Sequence, residues 1–125
     1  MEDESRLSVL VVTDDPHLLE EAKFAFRDEV DVTFARDSRD AWKVIEERIP
    51  DVVVVDLQTG SAGGFNLITE MREQGRTAPS LLLLERPQDE WLGRQAGAHV
   101  IRVKPIDVAD LVEETLALAG SQKTT

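Results

Sequence analysis

The chain has no cysteine, and its basic residues are few. The lack of cysteine excludes a disulfide framework, a thiolate metal site and a cysteine nucleophile. Fourteen lysines and arginines stand against 25 aspartates and glutamates, which leaves a formal net charge of −11. This balance argues against binding of a nucleic-acid backbone as the main activity, and it favours basic partners or cations.

Long hydrophobic runs are also absent. No apolar run reaches the length of a signal core or a membrane span, and the N-terminal MEDESR segment is acidic, so we expect a cytoplasmic protein with no membrane partner. A length of 125 residues fits one domain. We expect an acidic extension over 1–6, a folded domain over 7–119 and a disordered tail over 120–125.

Short apolar segments alternate with amphipathic ones along the chain. Five segments predict strands: 7–12, 30–34, 52–55, 80–84 and 100–103. The intervening segments predict helices, and their expected N-terminal caps are Asp15, Ser38 and Asp107. Five such βα units predict an α/β fold, a doubly wound parallel sheet with right-handed crossovers. The second strand alternates apolar and polar residues like an edge strand, which favours the strand order 2-1-3-4-5.

The chain is organised around the third predicted strand, whose four valines end in Asp56. In the order 2-1-3-4-5, the first and third strands are neighbours, so Asp14 and Asp15 should lie beside Asp56. Clustered carboxylates oppose folding unless a cation or an amine offsets their charge. Lys104 after the fifth strand is one candidate, and Mg²⁺ suits the oxygen ligands. This constellation supports phosphoryl transfer onto Asp56, although Asp15 alone could serve only as a helix cap.

Taken together, these landmarks resemble the receiver domain of two-component response regulators. The resemblance covers residues 7 to about 119, and the motifs that carry it are Asp14-Asp15, Asp56, Gly64, the Ala96–Ala98 AGA sequence and Lys104-Pro105. It implies the flavodoxin-like, CheY-like fold. It also implies a phosphorelay signalling protein that is not an enzyme, beyond catalysing its own phosphorylation and dephosphorylation.

The resemblance further implies a role for each site residue. Asp56 is the expected phosphoacceptor, and Lys104 is expected to contact the phosphoryl group. Asp14, Asp15, Asp56 and the Gln58 carbonyl are expected to hold Mg²⁺. The implied donor is a sensor histidine kinase, a phosphotransfer protein or a small acyl phosphate.

The chain departs from the family pattern at the positions that relay phosphorylation. The family's switch Ser or Thr falls on Leu84, and its switch Tyr or Phe falls on Ile101. A hydrogen bond to a charged group contributes roughly 1.5–3 kcal/mol. Its loss at Leu84 should therefore weaken the coupling between phosphorylation and the conformational switch by about tenfold or more. Glu85 replaces a small residue and, with Arg86, is expected to modulate the site. The sequence therefore predicts an atypical receiver with a mobile Thr59-Gly60 loop.

Output is expected through protein binding. The face formed by 88–116 is the expected contact for a downstream protein or for a second copy of the chain, with Trp91 as either an anchor or a core residue. With no DNA-binding segment after Gly120, we expect no direct DNA binding. A pseudo-receiver that acts without phosphate is the alternative. A flavin enzyme and a haloacid-dehalogenase-type phosphatase do not fit, because of Asp14-Asp15 and Gln58 respectively.

Overall fold

The predicted strands form one five-stranded parallel sheet. The computed structural model describes residues 6–26, 30–57 and 63–123. The strand order is 2-1-3-4-5, so the expected order and the edge position of the second strand are confirmed. The strands are β1 (Ser8–Thr13), β2 (Asp31–Ala35), β3 (Val52–Asp56), β4 (Ser80–Leu84) and β5 (Val100–Val103).

Helices follow every strand. They are α1 (Pro16–Ala25), α2 (Ser38–Glu47), α3 (Gly63–Glu73), α4 (Glu90–Ala96), which a 3₁₀ turn (Pro87–Asp89) precedes, and α5 (Val108–Lys123). The Asp15 carboxylate caps α1, because it accepts the backbone N–H groups of His17 and Leu18. Gly97 ends α4 with a φ of +107°, a conformation that a residue with a Cβ rarely adopts.

Two layers of helices cover the sheet. On one face α1 and α5 pack against a cluster that includes Val9, Val54 and Leu83. On the other face the helices α2, α3 and α4 cover a cluster that includes Leu10, Val55 and Leu82. β3 and β4 are therefore buried on both sides throughout, which explains their uninterrupted apolar sequences.

Two expectations about helix ends are wrong. The cap of α2 is Asp37, whose carboxylate accepts the Asp40 N–H, and Ser38 is already the first helical residue. Adjacent Asp and Ser are nearly equal as caps, so the sequence alone did not choose between them. In addition, α5 continues through Lys123, so 120–123 do not form the expected disordered tail. Among the described residues, no helix is both long and apolar enough to cross a bilayer.

The register of the sheet determines which residues meet at its carboxyl edge. In the β1–β3 ladder Thr13 is the direct partner of Asp56. In the β4–β5 ladder Leu84 pairs with Val103, one residue before Lys104. Asp56, Thr13 and Lys104 thus lie at one end of three strands, which is where open α/β sheets bind ligands.

Candidate phosphoacceptor site

Asp56 is a fully buried carboxylate at the end of β3, with 0% of its surface exposed. The hydroxyl of Thr13 donates to Asp56 Oδ2 at 2.8 Å. The same hydroxyl oxygen accepts the backbone N–H of Asp15 at 3.0 Å. A buried charge needs partners of this kind, and one hydroxyl by itself does not neutralise it.

Lys104 supplies the opposite charge. Its ammonium nitrogen lies 3.1 Å from Asp56 Oδ2 and 3.3 Å from Oδ1. The backbone N–H of Lys104 donates to the carbonyl of Leu84 at 2.7 Å, and the Lys104-Pro105 peptide bond is cis. The Lys104 side chain thus reaches from the end of β5 to the end of β3.

Asp15 links the lysine to α1. One carboxylate oxygen, Oδ1, accepts the helix-capping N–H groups, and the other, Oδ2, lies 2.9 Å from the Lys104 nitrogen. Hydrogen bonds thus connect Thr13, Asp56, Lys104 and Asp15 and return to Thr13 through the Asp15 N–H. We refer to these four residues as the hydrogen-bond ring.

The ring shifts the pKa of two of its members. The hydrogen bond from Lys104 is the largest cause of a lowered pKa for Asp15, and it outweighs the opposing effect of burial. For Lys104 burial is the largest single effect and disfavours the charged form, yet Asp15 and Asp56 together raise its pKa. Asp15 is therefore held as a carboxylate and Lys104 as an ammonium.

Asp14 lies at the edge of the ring. Its backbone N–H donates to the Asp56 carbonyl at 3.3 Å. An open cavity of about 280 Å³ adjoins the ring, and its lining residues are Thr13, Asp14, Asp15, Pro16, Leu19 and Arg36. The cavity therefore has room for a small ligand beside Thr13 and Asp15 of the ring, and Asp56 and Lys104 are not among the residues that line it.

Comparison with known proteins identifies this arrangement. A family model described as the response regulator receiver domain matches residues 9–116. The chain belongs to the response regulator receiver family. An uncharacterised 14.6 kDa protein of Leptolyngbya boryana is 30% identical over 113 residues, and the match covers 86% of each chain.

Other receivers support the assignment. The probable transcriptional regulatory protein TcrX of Mycobacterium tuberculosis is 31% identical over 115 residues, which are 90% of this chain and 49% of TcrX. The chain thus spans about half the length of that relative. The receiver domain of Francisella response regulator 1452 superposes with a TM-score of 0.83 at 25% identity, covering 94% of this chain and 99% of that one.

Receivers typically bind Mg²⁺ at the phosphorylation site, and the donor set here fits that ion in part. Across 6–26, 30–57 and 63–123, no group of three acidic or histidine side chains is placed to hold a metal. Asp15 and Asp56 instead share the Lys104 ammonium. Mg²⁺ needs only one or two carboxylates and keeps its waters, so Asp14 and Asp56 remain suitable donors. The predicted Gln58 ligand lies outside the described residues, as does the Thr59-Gly60 loop.

The two residues predicted to occupy the switch positions are apolar and packed. Leu84 is 5% exposed in the interior, and Ile101 packs against the same core cluster. Glu85 is 57% exposed, with an oxygen 3.9 Å from the Lys104 nitrogen, so it borders the ring without closing over it. Arg86 is directed to an exposed ion pair with Asp89 instead, at 3.9 Å.

Sequence reasoning missed Thr13. A threonine at the end of a strand does not by itself indicate a functional site, whereas the adjacent pair Asp14-Asp15 matches a recognisable motif. The register of β1 against β3 was the missing information, because it places Thr13, and neither Asp14 nor Asp15, directly across from Asp56.

Proposed function

We propose that this receiver accepts a phosphoryl group on Asp56 within a two-component phosphorelay. The observation that carries the proposal is the buried Asp56 carboxylate with the Lys104 ammonium 3.1 Å away. A carboxylate group in a cleft can act as a nucleophile toward phosphorus. A cation beside it offsets the negative charge of an incoming phosphoryl group.

The chemistry follows from these contacts. An Asp56 oxygen donates an electron pair to phosphorus, the bond from phosphorus to the donor breaks, and the leaving group departs with that electron pair. Lys104, whose ammonium nitrogen lies 3.1 Å from Asp56 Oδ2, would contact the oxygens of the transferred group. Bound Mg²⁺ would add charge neutralisation, held by Asp14, Asp56 and the Gln58 carbonyl. The protein is thus a phosphoacceptor whose catalysis is limited to its own phosphorylation and dephosphorylation.

The proposed donor is a histidine kinase, a phosphotransfer protein or a small acyl phosphate. The proposed output is protein binding through the face formed by α4, β5 and α5. Trp91 on that face is 58% exposed, which favours a role as a contact residue over core packing. The partner on this face is a downstream protein or a second copy of the chain.

A mass measurement tests the acceptor role. The protein is incubated with Mg²⁺ and either acetyl phosphate or phosphoramidate, and its intact mass is recorded. We expect a gain of one phosphoryl group in the natural chain and none in Asp56→Asn. Asp14→Asn serves as a comparison, because it removes a proposed ligand and leaves the acceptor in place. A natural chain that gains no mass with either donor contradicts the proposal.

The second candidate is a pseudo-receiver that binds its partner without phosphate. It is favoured by the absence of a hydroxyl and of an aromatic ring at Leu84 and Ile101, and by Glu85 beside Lys104. This candidate predicts no mass gain. It also predicts partner binding that Asp56→Asn leaves unchanged.

A further inference from the structure

The hydrogen bonds of the ring already engage the oxygens of two of the three carboxylates that were predicted as metal ligands. Asp15 Oδ1 accepts two backbone N–H groups, at 2.9 and 3.5 Å, and Oδ2 accepts from Lys104. Asp56 Oδ2 accepts from both Thr13 and Lys104, and Oδ1 accepts from Lys104. A metal ion at these oxygens must share them with donors already in place and lie close to the positive charge of Lys104.

The side chain that faces Asp56 from β1 is a hydroxyl group. Thr13 is the register partner of Asp56 and is itself 1% exposed. Its hydroxyl donates to the carboxylate and adds no negative charge of its own. Within the described part of the chain, no three acidic side chains are placed together to hold a metal ion.

We propose that the Lys104 ammonium is the resident cation of this cleft and that Thr13 sets the cation preference. Divalent ions then bind weakly, through Asp14 and Asp56, and in competition with Lys104. Asp15 is a positioning residue, since it holds α1 with one oxygen and Lys104 with the other. The inference rests on the proposed function only in treating this cleft as the acceptor pocket.

The inference is tested by calorimetric titration of the protein with Mg²⁺ and with Mn²⁺, in the absence of any phosphodonor. The variants are Thr13→Asp, which adds a carboxylate opposite Asp56, and Thr13→Val, which has nearly the same shape without an acid. We expect Thr13→Asp to bind at least about tenfold more tightly than the natural chain, because attraction between charges ~4 Å apart in a protein site exceeds that factor. Thr13→Val should remain close to the natural chain.

A second variant guards against failure of Thr13→Asp to fold. Lys104→Met removes the competing cation, so its affinity for Mg²⁺ should rise, and Mg²⁺ should raise its Tm more than that of the natural chain. The inference would be overturned if Thr13→Asp bound Mg²⁺ no more tightly than Thr13→Val does. It would also be overturned if Lys104→Met bound Mg²⁺ more weakly than the natural chain does. Neither titration involves phosphoryl transfer, so failure here is distinct from failure of the mass measurement.

Discussion

The carboxyl edge of the sheet has two halves with opposite chemistry. The acceptor half, at the ends of β1 and β3, holds the buried Asp56 carboxylate and its hydroxyl and ammonium donors. The relay half, formed by β4 and β5, holds Leu84 at the end of β4 and Ile101 two residues before the end of β5, and both pack in an apolar cluster. The acceptor half holds charged and polar side chains, and the relay half holds packed apolar side chains.

The two halves meet at Lys104. Its backbone N–H donates to the Leu84 carbonyl, and its side chain enters the acceptor half. No side-chain hydroxyl at Leu84 is available to follow a change in charge at Asp56. The two halves therefore differ in this chain: the half that holds Asp56 has hydroxyl and ammonium donors, and the half that holds Leu84 offers no side-chain hydroxyl at that position.

The largest expected effect comes from removing the charge that the halves share. Lys104→Met removes the ammonium group beside the buried Asp56 carboxylate, which should lower the free energy of unfolding by about 3–5 kcal/mol. Urea denaturation at neutral pH measures it. The control is Lys23→Met, which removes an exposed pair with Glu20 and should cost less than ~1 kcal/mol. Equal effects for the two variants would show that the ring contributes no more than a surface ion pair.

A hydroxyl group introduced at Leu84 should allow the relay half to respond to a ligand at Asp56. Beryllofluoride with Mg²⁺ should shift few backbone amide resonances between Gln88 and Leu111 in the natural chain. In Leu84→Thr we expect shifts across that range. One hydrogen bond from the new hydroxyl to the charged group at Asp56 should strengthen the coupling between Asp56 and this segment about tenfold. Leu84→Val is the control of matching shape. Large shifts in the natural chain would defeat the idea of an absent relay.

Packing should also differ between the halves. A Cβ added to Gly64 in α3 would lie 2.5 Å from Cγ1 of Val55, a side chain on a buried strand. At Gly93 in α4 it would lie 2.9 Å from Leu82 Cδ2, the end of a flexible side chain. Gly64→Ala should therefore destabilise by about 1–3 kcal/mol. Gly93→Ala should be nearly neutral, because alanine's helix propensity offsets the contact.

Chemical denaturation of both glycine variants and of Gly120→Ala, which meets no atom within 4 Å, measures this difference. If Gly93→Ala proves as costly as Gly64→Ala, the relay half is as rigid as the acceptor half.

The smallest expected effect is the pH dependence of the Asp15–Lys104 pair. The lowered pKa of Asp15 contributes stability that is present above its ordinary value of 3.8 and is lost as pH falls below it. The raised pKa of Lys104 contributes stability that is present below 10.5 and is lost as pH rises through the folded-state value. Asp15→Asn keeps a helix cap and removes the charge.

Unfolding free energies of the natural chain and Asp15→Asn should thus differ by a constant amount in the middle of the pH range. The difference should shrink at both extremes. A difference that stays unchanged in acid would mean that Asp15 contributes only as a cap.

The fold was predictable because its signals are local and repeated. Runs such as Val52–Val55 and Ser80–Leu84 are too apolar for anything except interior strands, and Asp15 with Pro16 defines the start of a helix. The edge character of β2 then selected the strand order.

The details of the site depend on register and side-chain direction, which composition does not encode. A one-residue difference decides whether Thr13 or Asp14 faces Asp56. Likewise Gly120 suggested a helix end, but α5 continues past it, with Ala119 fully buried one residue earlier. Packing against the sheet outweighed the local preference of one glycine.

The two tryptophans provide the chain with natural optical probes. There is no tyrosine, so near-ultraviolet emission comes from Trp42 and Trp91 alone. Trp42 is partly buried and its indole N–H donates to Glu70 at 3.0 Å on the α2–α3 side, whereas Trp91 faces solvent on α4. A dissolved quencher should therefore reach one emitter far more readily than the other, and a partner that covers α4 should protect that emitter without any label being attached.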